Sequence, residues 1–435
     1  SMALVSRLAS AERSPMSGVI LAWLAAIVSN LDTLASSKKM VLFKWKVPKK
    51  VVGYALIFIS TVALVWQWLT DYQLKRQLQE TMEVVSLQDE SLFEEASGGV
   101  AMQNVAYIVD DERPILFKLE FNKDKSYRFK REIPLVLGPF KKQEEQNVNT
   151  AGSAQIASSA AICGSEIADK DCVDDFEAIA VRPSNNESIY MVTSHSNTQN
   201  GRPDKSRERL IEVSVKPGTE GQITKFQENL RSSIVKELHR VAASQQDQNL
   251  ERLLQTMQTS EARRQRIRGV QVEGLAIDES DYAYLGLREP LVQHGGVLYA
   301  IVLRAKLGEL FTDSPAFQTF LLNLDYNHNR YGIVSLDYDP RSKQMLVLGN
   351  HPEGKWFEPI LCLWNSNAGN PEEIQTPSRC TEVKFNREDR ISKPELVLLP
   401  PKEVFNGIFM FLDSDGKAPG GQIGPYQRSY FGLSD

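Results

Sequence analysis

A pair of short β runs joined by a turn recurs five times along this chain, and that recurrence constrains the fold more than any single motif does. Phe176-Glu177-Ala178-Ile179-Ala180 is followed, after a turn rich in Pro, Ser and Asn, by a run from Ile189 to His195. Val272-Glu273-Gly274-Leu275-Ala276-Ile277 leads to Tyr282 to Arg288, Tyr331 to Leu336 leads to Gln344 to Asn350, and Pro394-Glu395-Leu396-Val397 leads to Ile408 to Asp413. A fainter first copy runs from Ser97 to Met102 and on to Ala106 to Glu112. Third runs follow four of the copies, as in Leu210 to Val215 and Pro359 to Trp364, with fourth candidates at Ser126 to Lys130, Gln318 to Leu324 and Thr381 to Phe385. Copies of three or four antiparallel strands beginning near 97, 177, 273, 331 and 395 are the pattern of a β-propeller with insertions, five blades being visible and a sixth hidden or shared between the termini. An irregular β-sandwich is the rival, but it would not place the same glutamate at the head of three repeats.

Composition excludes several other classes. With 42% apolar and 24% charged residues in 435, the chain is neither a disordered polyelectrolyte nor a low-complexity polymer. Residues 1 to 50 carry eight Lys/Arg against two acids, whereas everything after them is net acidic, so no nucleic-acid partner is expected for the larger part. Four cysteines without a C-x-x-C pair exclude a zinc ribbon or a thioredoxin-like site.

Val51 to Leu69 is nineteen residues without a charge. As a helix it spans about 28 Å at roughly 1.5 Å per residue, the thickness of a bilayer core. Lys38, Lys39, Lys44, Lys46, Lys49 and Lys50 precede it and only Lys75 and Arg76 follow closely, which places the N-terminus in the cytoplasm. Trp66 and Trp68 suit the far interface, and no small-residue cleavage site follows, so the run reads as an uncleaved signal anchor. Residues 1–50 are then a cytoplasmic basic segment, whose Gly18 to Val28 forms a short apolar helix, and 70–95 form a polar helical stalk. The domain from 96 to 435 then lies outside the cytoplasm. In that oxidising setting Cys163 pairs with Cys172 and Cys362 with Cys380 as the two local bridges, among the three connectivities that four cysteines allow.

Two insertions stretch the repeat. Lys141 to Ser165 is Gln, Asn, Ser and Ala rich and reads as a mobile surface loop. Lys225 to Arg268 carries Leu and Ile at helical intervals with no Gly or Pro, which predicts one or two amphipathic helices and a surface for a protein partner. Its basic end, Arg263-Arg-Gln-Arg-Ile-Arg268, reads as a solvated face.

E-A-I-A followed by T-S-H-S, V-E-G-L-A followed by L-G-L-R-x-P, Y-G-I-x-S-L-D-Y and K-P-E-L, in this order, resemble the bacterial domain family of unknown function numbered 3616 over roughly Ser97 to Ser414. The resemblance departs at Tyr331-Gly-Ile-Val and at Lys393-Pro-Glu-Leu-Val. It implies a propeller, more distantly similar to esterase-like phytase propellers, and implies no activity.

In a propeller the inner strands line a central channel, so residues at equivalent places become neighbours. Glu177, Glu273 and Glu395 would meet there as ligands of a divalent cation, Ca²⁺ or Mg²⁺, since hard cations need several oxygen donors. Arg288, His195 and Asp413 at the ends of second strands would hold a small polar or anionic ligand, Arg288 by a bidentate fork. A structural role is the other reading, with each Glu knitting neighbouring blades and Arg288 pairing with one of them. Asp413-Ser-Asp415-Gly416 begins like a calcium loop but lacks its closing glutamate, and neighbouring strand positions point Ser194 and His195 to opposite faces. Two functions fit: a membrane-anchored binding propeller, or a metal-dependent phosphoesterase with the three glutamates as ligands and His195 as acid or base. The lysine asymmetry around the apolar run generates a direct expectation. An alkaline phosphatase fused after Asp435 will be active in cells; an inactive fusion beside an active cytoplasmic reporter would reverse the topology.

Overall fold

A computed structural model of the chain describes residues 84–86, 96–137, 175–351, 358–383, 393–413 and 421–433, less 111–113, 124, 327–328, 368, 372, 402 and 432. The apolar run 51–69, the basic segment before it and most of the stalk lie outside the described residues, as does the Cys163 and Cys172 pair. No helix among the described residues is long and apolar enough to cross a membrane.

In chain order the strands begin with β1 (Val84–Ser86), β2 (Ala96–Met102), β3 (Val105–Asp110), β4 (Ile115–Phe121), β5 (Tyr127–Pro134), β6 (Val136–Leu137), β7 (Phe176–Arg182), β8 (Asn185–Thr193), β9 (Leu210–Ser214) and β10 (Gln222–Gln227). Helices α1 (Leu230–Gln245), α2 (Gln248–Thr256) and α3 (Ser260–Gln265) follow. Then come β11 (Gln271–Ile277), β12 (Tyr282–Glu289), β13 (Val292–His294), β14 (Val297–Lys306), β15 (Gln318–Leu322), β16 (Gly332–Asp339), β17 (Gln344–Asn350), β18 (Ile360–Trp364), β19 (Ile374–Gln375), β20 (Arg379–Glu382), β21 (Lys393–Leu398), β22 (Gly407–Asp413) and β23 (Gly421–Gln427).

These strands form five sheets, β2-β3-β4-β5, β7-β8-β9-β10, β11-β12-β14-β15, β16-β17-β18-β20 and β21-β22-β23-β1, each antiparallel along that path. First strands pack side by side in the order β2, β7, β11, β16, β21 and back to β2, which closes a ring of five blades. The five heads read from the sequence are the five inner strands. No sixth sheet forms among the described residues. The blade shared between the termini is the fifth, because β1 pairs antiparallel with β23, Val85 opposite Gln422. That pairing corrects the helical stalk over 84–86: Val84-Val85 are β-branched, and the open edge of the fifth blade offers a ladder that a free helix does not.

Burial follows radius. β11 is buried along its whole length because neighbouring blades cover both faces, and it reads as apolar apart from Gln271, Glu273 and Gly274. β5, an outermost strand, buries only two of its eight residues, and its sequence alternates accordingly. Two outer edges are covered by short parallel strands from elsewhere, β6 on β10 and β19 on β15, which leaves those ladders less open to foreign strands.

Glycine fixes how closely two blades approach. A Cβ on Gly98 would lie 2.9 Å from the Glu177 carbonyl oxygen, and one on Gly332 would lie 2.2 Å from that of Arg288. Both positions therefore need a bare backbone.

The insertion expected over 225–268 begins inside β10 and holds three helices rather than one or two. Gln246 ends α1 at φ 57°, and Asp247 starts α2 by accepting from the Asn249 and Leu250 amides at 3.0 Å. Thr259 caps α3 in the same way. Leu230, Ile234, Leu238 and Val241 bury one face of α1 in a cluster with Tyr190 and Leu210 of the second blade and Leu285 and Ile301 of the third, so the insertion wedges between two blades.

Cys362 and Cys380 face each other on β18 and β20 and are disulfide-bonded, Cα to Cα 4.1 Å, as the sequence predicted. Loop-closure entropy gives such a bridge on the order of 3 kcal/mol. Non-reducing peptide mapping will find Cys362 joined to Cys380, and denaturant titration of the double alanine variant will give an unfolding free energy lower by about that amount; free thiols at both positions would refute the assignment.

Candidate functional site

The rim of the ring where inner strands start and second strands end gathers most of the residues singled out in the sequence. Glu177, Glu273 and Glu395 each sit second or third in an inner strand, on β7, β11 and β21. In every case a register shift falls beside the residue, between Phe176 and Ala178, Val272 and Gly274, and Pro394 and Leu396. A bulge at each blade's entry turns that position out of the ladder, and β-bulges commonly serve to re-aim a side chain.

Arg288, at the end of β12, is where the three converge. Its Nη1 donates to Glu273 Oε1 at 3.0 Å and Oε2 at 3.2 Å. The negative charge of Glu273 does most to hold the guanidinium proton; burial works against it, and Glu395 and Glu177 add to the hold, so its pKa lies above the usual arginine range. Glu273 and Glu395 are buried, and the Arg288 side chain is 15% exposed. Arg288 Nε is buried with no hydrogen-bond partner among the described residues.

This arrangement bears on two readings. Among the described residues no group of three or more His, Cys, Asp or Glu side chains is placed to hold a metal ion, and Glu177, Glu273 and Glu395 form no such group. The fixed positive charge these carboxylates share is the Arg288 guanidinium. Glu273 occupies the Nη1 of Arg288. The blade-knitting reading accounts for that bond. Breaking it would leave the surviving partner as an uncompensated buried charge, a loss worth about 3 to 5 kcal/mol.

His195 lies elsewhere in its chemistry. It is fully buried, in a left-handed backbone at φ 59°, and its Nδ1 lies 2.7 Å from the Thr193 carbonyl, which accepts the proton. Nε2 then carries the lone pair, buried and without a partner among the described residues. Burial, opposed by the Thr193 bond and assisted by the charge of Arg231, brings the pKa down to about 4. Ser194 does not pair with it; its Oγ donates to Ser196 Oγ at 2.9 Å. Asp413 is the last residue of β22, and its side chain, like Asp415, is outside the described residues.

The sequence reading missed the network that holds the His195 loop. Arg231, on the buried face of α1, reaches Glu208 Oε1 at 3.1 Å and Asn197 Oδ1 at 2.6 Å. Asn197 Nδ2 in turn donates to the Ile267 carbonyl, at 3.1 Å. A signal was present: a charged residue one position after Leu230, on the stripe continued by Ile234 and Leu238, either snorkels or meets a buried partner.

The fold is similar to that of regucalcin, a calcium-binding protein from Agrobacterium tumefaciens, at a TM-score of 0.33 and 7% identity, over 79% of this chain and 94% of that one. No family model matches the sequence and no curated protein matches it.

The depressed His195 pKa fixes the sign of a pH effect. An unfolded histidine takes up its proton near pH 6.5 and the folded one only near 4, so stability present above pH 6.5 is lost as pH falls through that window. The loss is on the order of 2 to 3 kcal/mol. Denaturant titrations at pH 7 and 4.5 will show a larger drop for the wild type than for His195→Asn, which tolerates the left-handed backbone. Equal drops would mean that His195 is not held neutral.

Proposed function

We propose that this chain is a membrane-anchored, extracytoplasmic binding propeller that takes a small polar ligand at the mouth of its central channel. One observation carries the reading: carboxylates from three blades and the Arg288 guanidinium share one rim, each brought there by a strand entry or end. Three acids outnumber one base. A ligand presenting an amine or other donor therefore suits the mouth better than the anion expected from Arg288 alone. The phosphoesterase alternative would need a metal-holding carboxylate set and a histidine open to substrate, and the described residues supply neither.

The anchor is Val51 to Leu69, single-pass in a bacterial inner membrane with the N-terminus cytoplasmic. The lysine asymmetry supports it, and the Cys362 to Cys380 bond suits the oxidising side.

Calorimetric titration of the full chain against putrescine and against citrate tests the ligand class. Putrescine should bind, and Glu395→Gln should weaken it on the order of tenfold, the value of one charge-assisted bond, with an unchanged melting temperature. Citrate binding that Arg288→Met abolishes, with no response to putrescine, would overturn the reading.

A further inference from the structure

A cavity of about 860 Å³ lies between the helical insertion and the third blade, and its lining includes none of Glu177, Glu273, Arg288 or Glu395. That is the size of a site for a small organic molecule. α2 and the segment after α3 form one wall, the β12 to β13 corner and the start of β14 the other, and the chain entering the fourth blade closes one end. Its geometry is pinned. Asp247 caps α2 with one carboxylate oxygen, and the other accepts from the Gln293 amide at 2.6 Å, tying the helix to β13.

The lining divides by chemistry. Leu253, Ile267, Leu291 and Leu298 are only partly buried although apolar, and Val297, 36% exposed, is one of two large hydrophobic residues left exposed among the described residues. Apolar surface left open in a concave site is commonly surface kept for a ligand. Arg266, Arg268 and Arg330 line the same cavity, are exposed, and make no ion pair with any described residue. The lining is balanced in formal charge, three arginines against Asp247, Glu289 and Asp325, but Asp247 and Glu289 hold their carboxylates on neighbouring donors, at 2.6 Å from the Gln293 amide and 2.8 Å from Gln271, whereas the three guanidinium groups stay open to a ligand. Two of these arginines belong to the basic run that read as a solvated face.

We infer that this cavity binds an anionic amphiphile, its acyl chain on the Leu253, Leu291 and Val297 side and its carboxylate or phosphate head between Arg266, Arg268 and Arg330. Guanidinium groups suit both heads because their planar forks match two acceptor oxygens. The arginines that would hold the head are not the residues that meet at the channel mouth.

Water-soluble probes test it on the full chain: octanoate, octyl phosphate, neutral octanol and inorganic phosphate, each by isothermal titration. Both octyl anions should bind saturably, on the order of tenfold or more tighter than octanol or inorganic phosphate. A stronger response to octyl phosphate than to octanoate would assign a phosphate head, and the reverse a carboxylate. The double variant Arg268→Gln, Arg330→Gln, at exposed positions, should lose that advantage with its octanol response and melting temperature unchanged, and Val297→Asp should weaken every octyl probe. Glu395→Gln, which bears on the channel mouth, should leave octyl phosphate binding as it was. Equal affinity for octanol and the anions, inorganic phosphate binding as tightly as octyl phosphate, or full binding by the double variant would each overturn the assignment.

Discussion

Five wedge-shaped sheets hold together only if the ring they form is shut, and here the shutting contact is the backbone pairing of β1 with β23. Each blade buries its faces against two neighbours, so an open ring would expose a face of the first blade and a face of the last. Three residues from before the first blade complete the fifth, which makes its sheet from both ends of the domain. Everything on the rim depends on that closure, since Glu395 is on the fifth blade and Glu177 and Glu273 are on the second and third.

The blades were legible in the sequence because an inner strand is covered on both faces and reads as a near-continuous apolar run, which stands out at any spacing. Five such heads gave five blades. What escaped was the closing strand, because Val84-Val85-Ser86 is too short to carry a period and sits within a polar helical pattern. Outer strands such as β6 and β19, two residues each, escaped for the same reason. The breaks in the insertion had a readable cause in Asp247 and Thr259, both good helix caps.

The rim was half legible. Equivalent glutamates at equivalent strand entries do converge, as repetition implied, yet repetition says nothing about what stands between them. Whether a carboxylate set encloses a metal or a guanidinium turns on a separation of a few ångströms, which belongs to bulges and side-chain reach rather than to residue type. His195 shows the limit more sharply. A histidine beside two serines suggests chemistry on paper, whereas its bond to Thr193 and its burial make it a neutral part of a loop that Asn197 and Arg231 fasten to the insertion.

The parallel pairing of β6 with β10 has a consequence for chain connectivity. β6 and β7 are the opposite edges of one five-stranded sheet, and the sequence between them runs from 138 to 175. Severing that segment would free no blade, because each new end would still be held by a ladder to the same sheet. The chain could be opened there without asking any strand to change its partner.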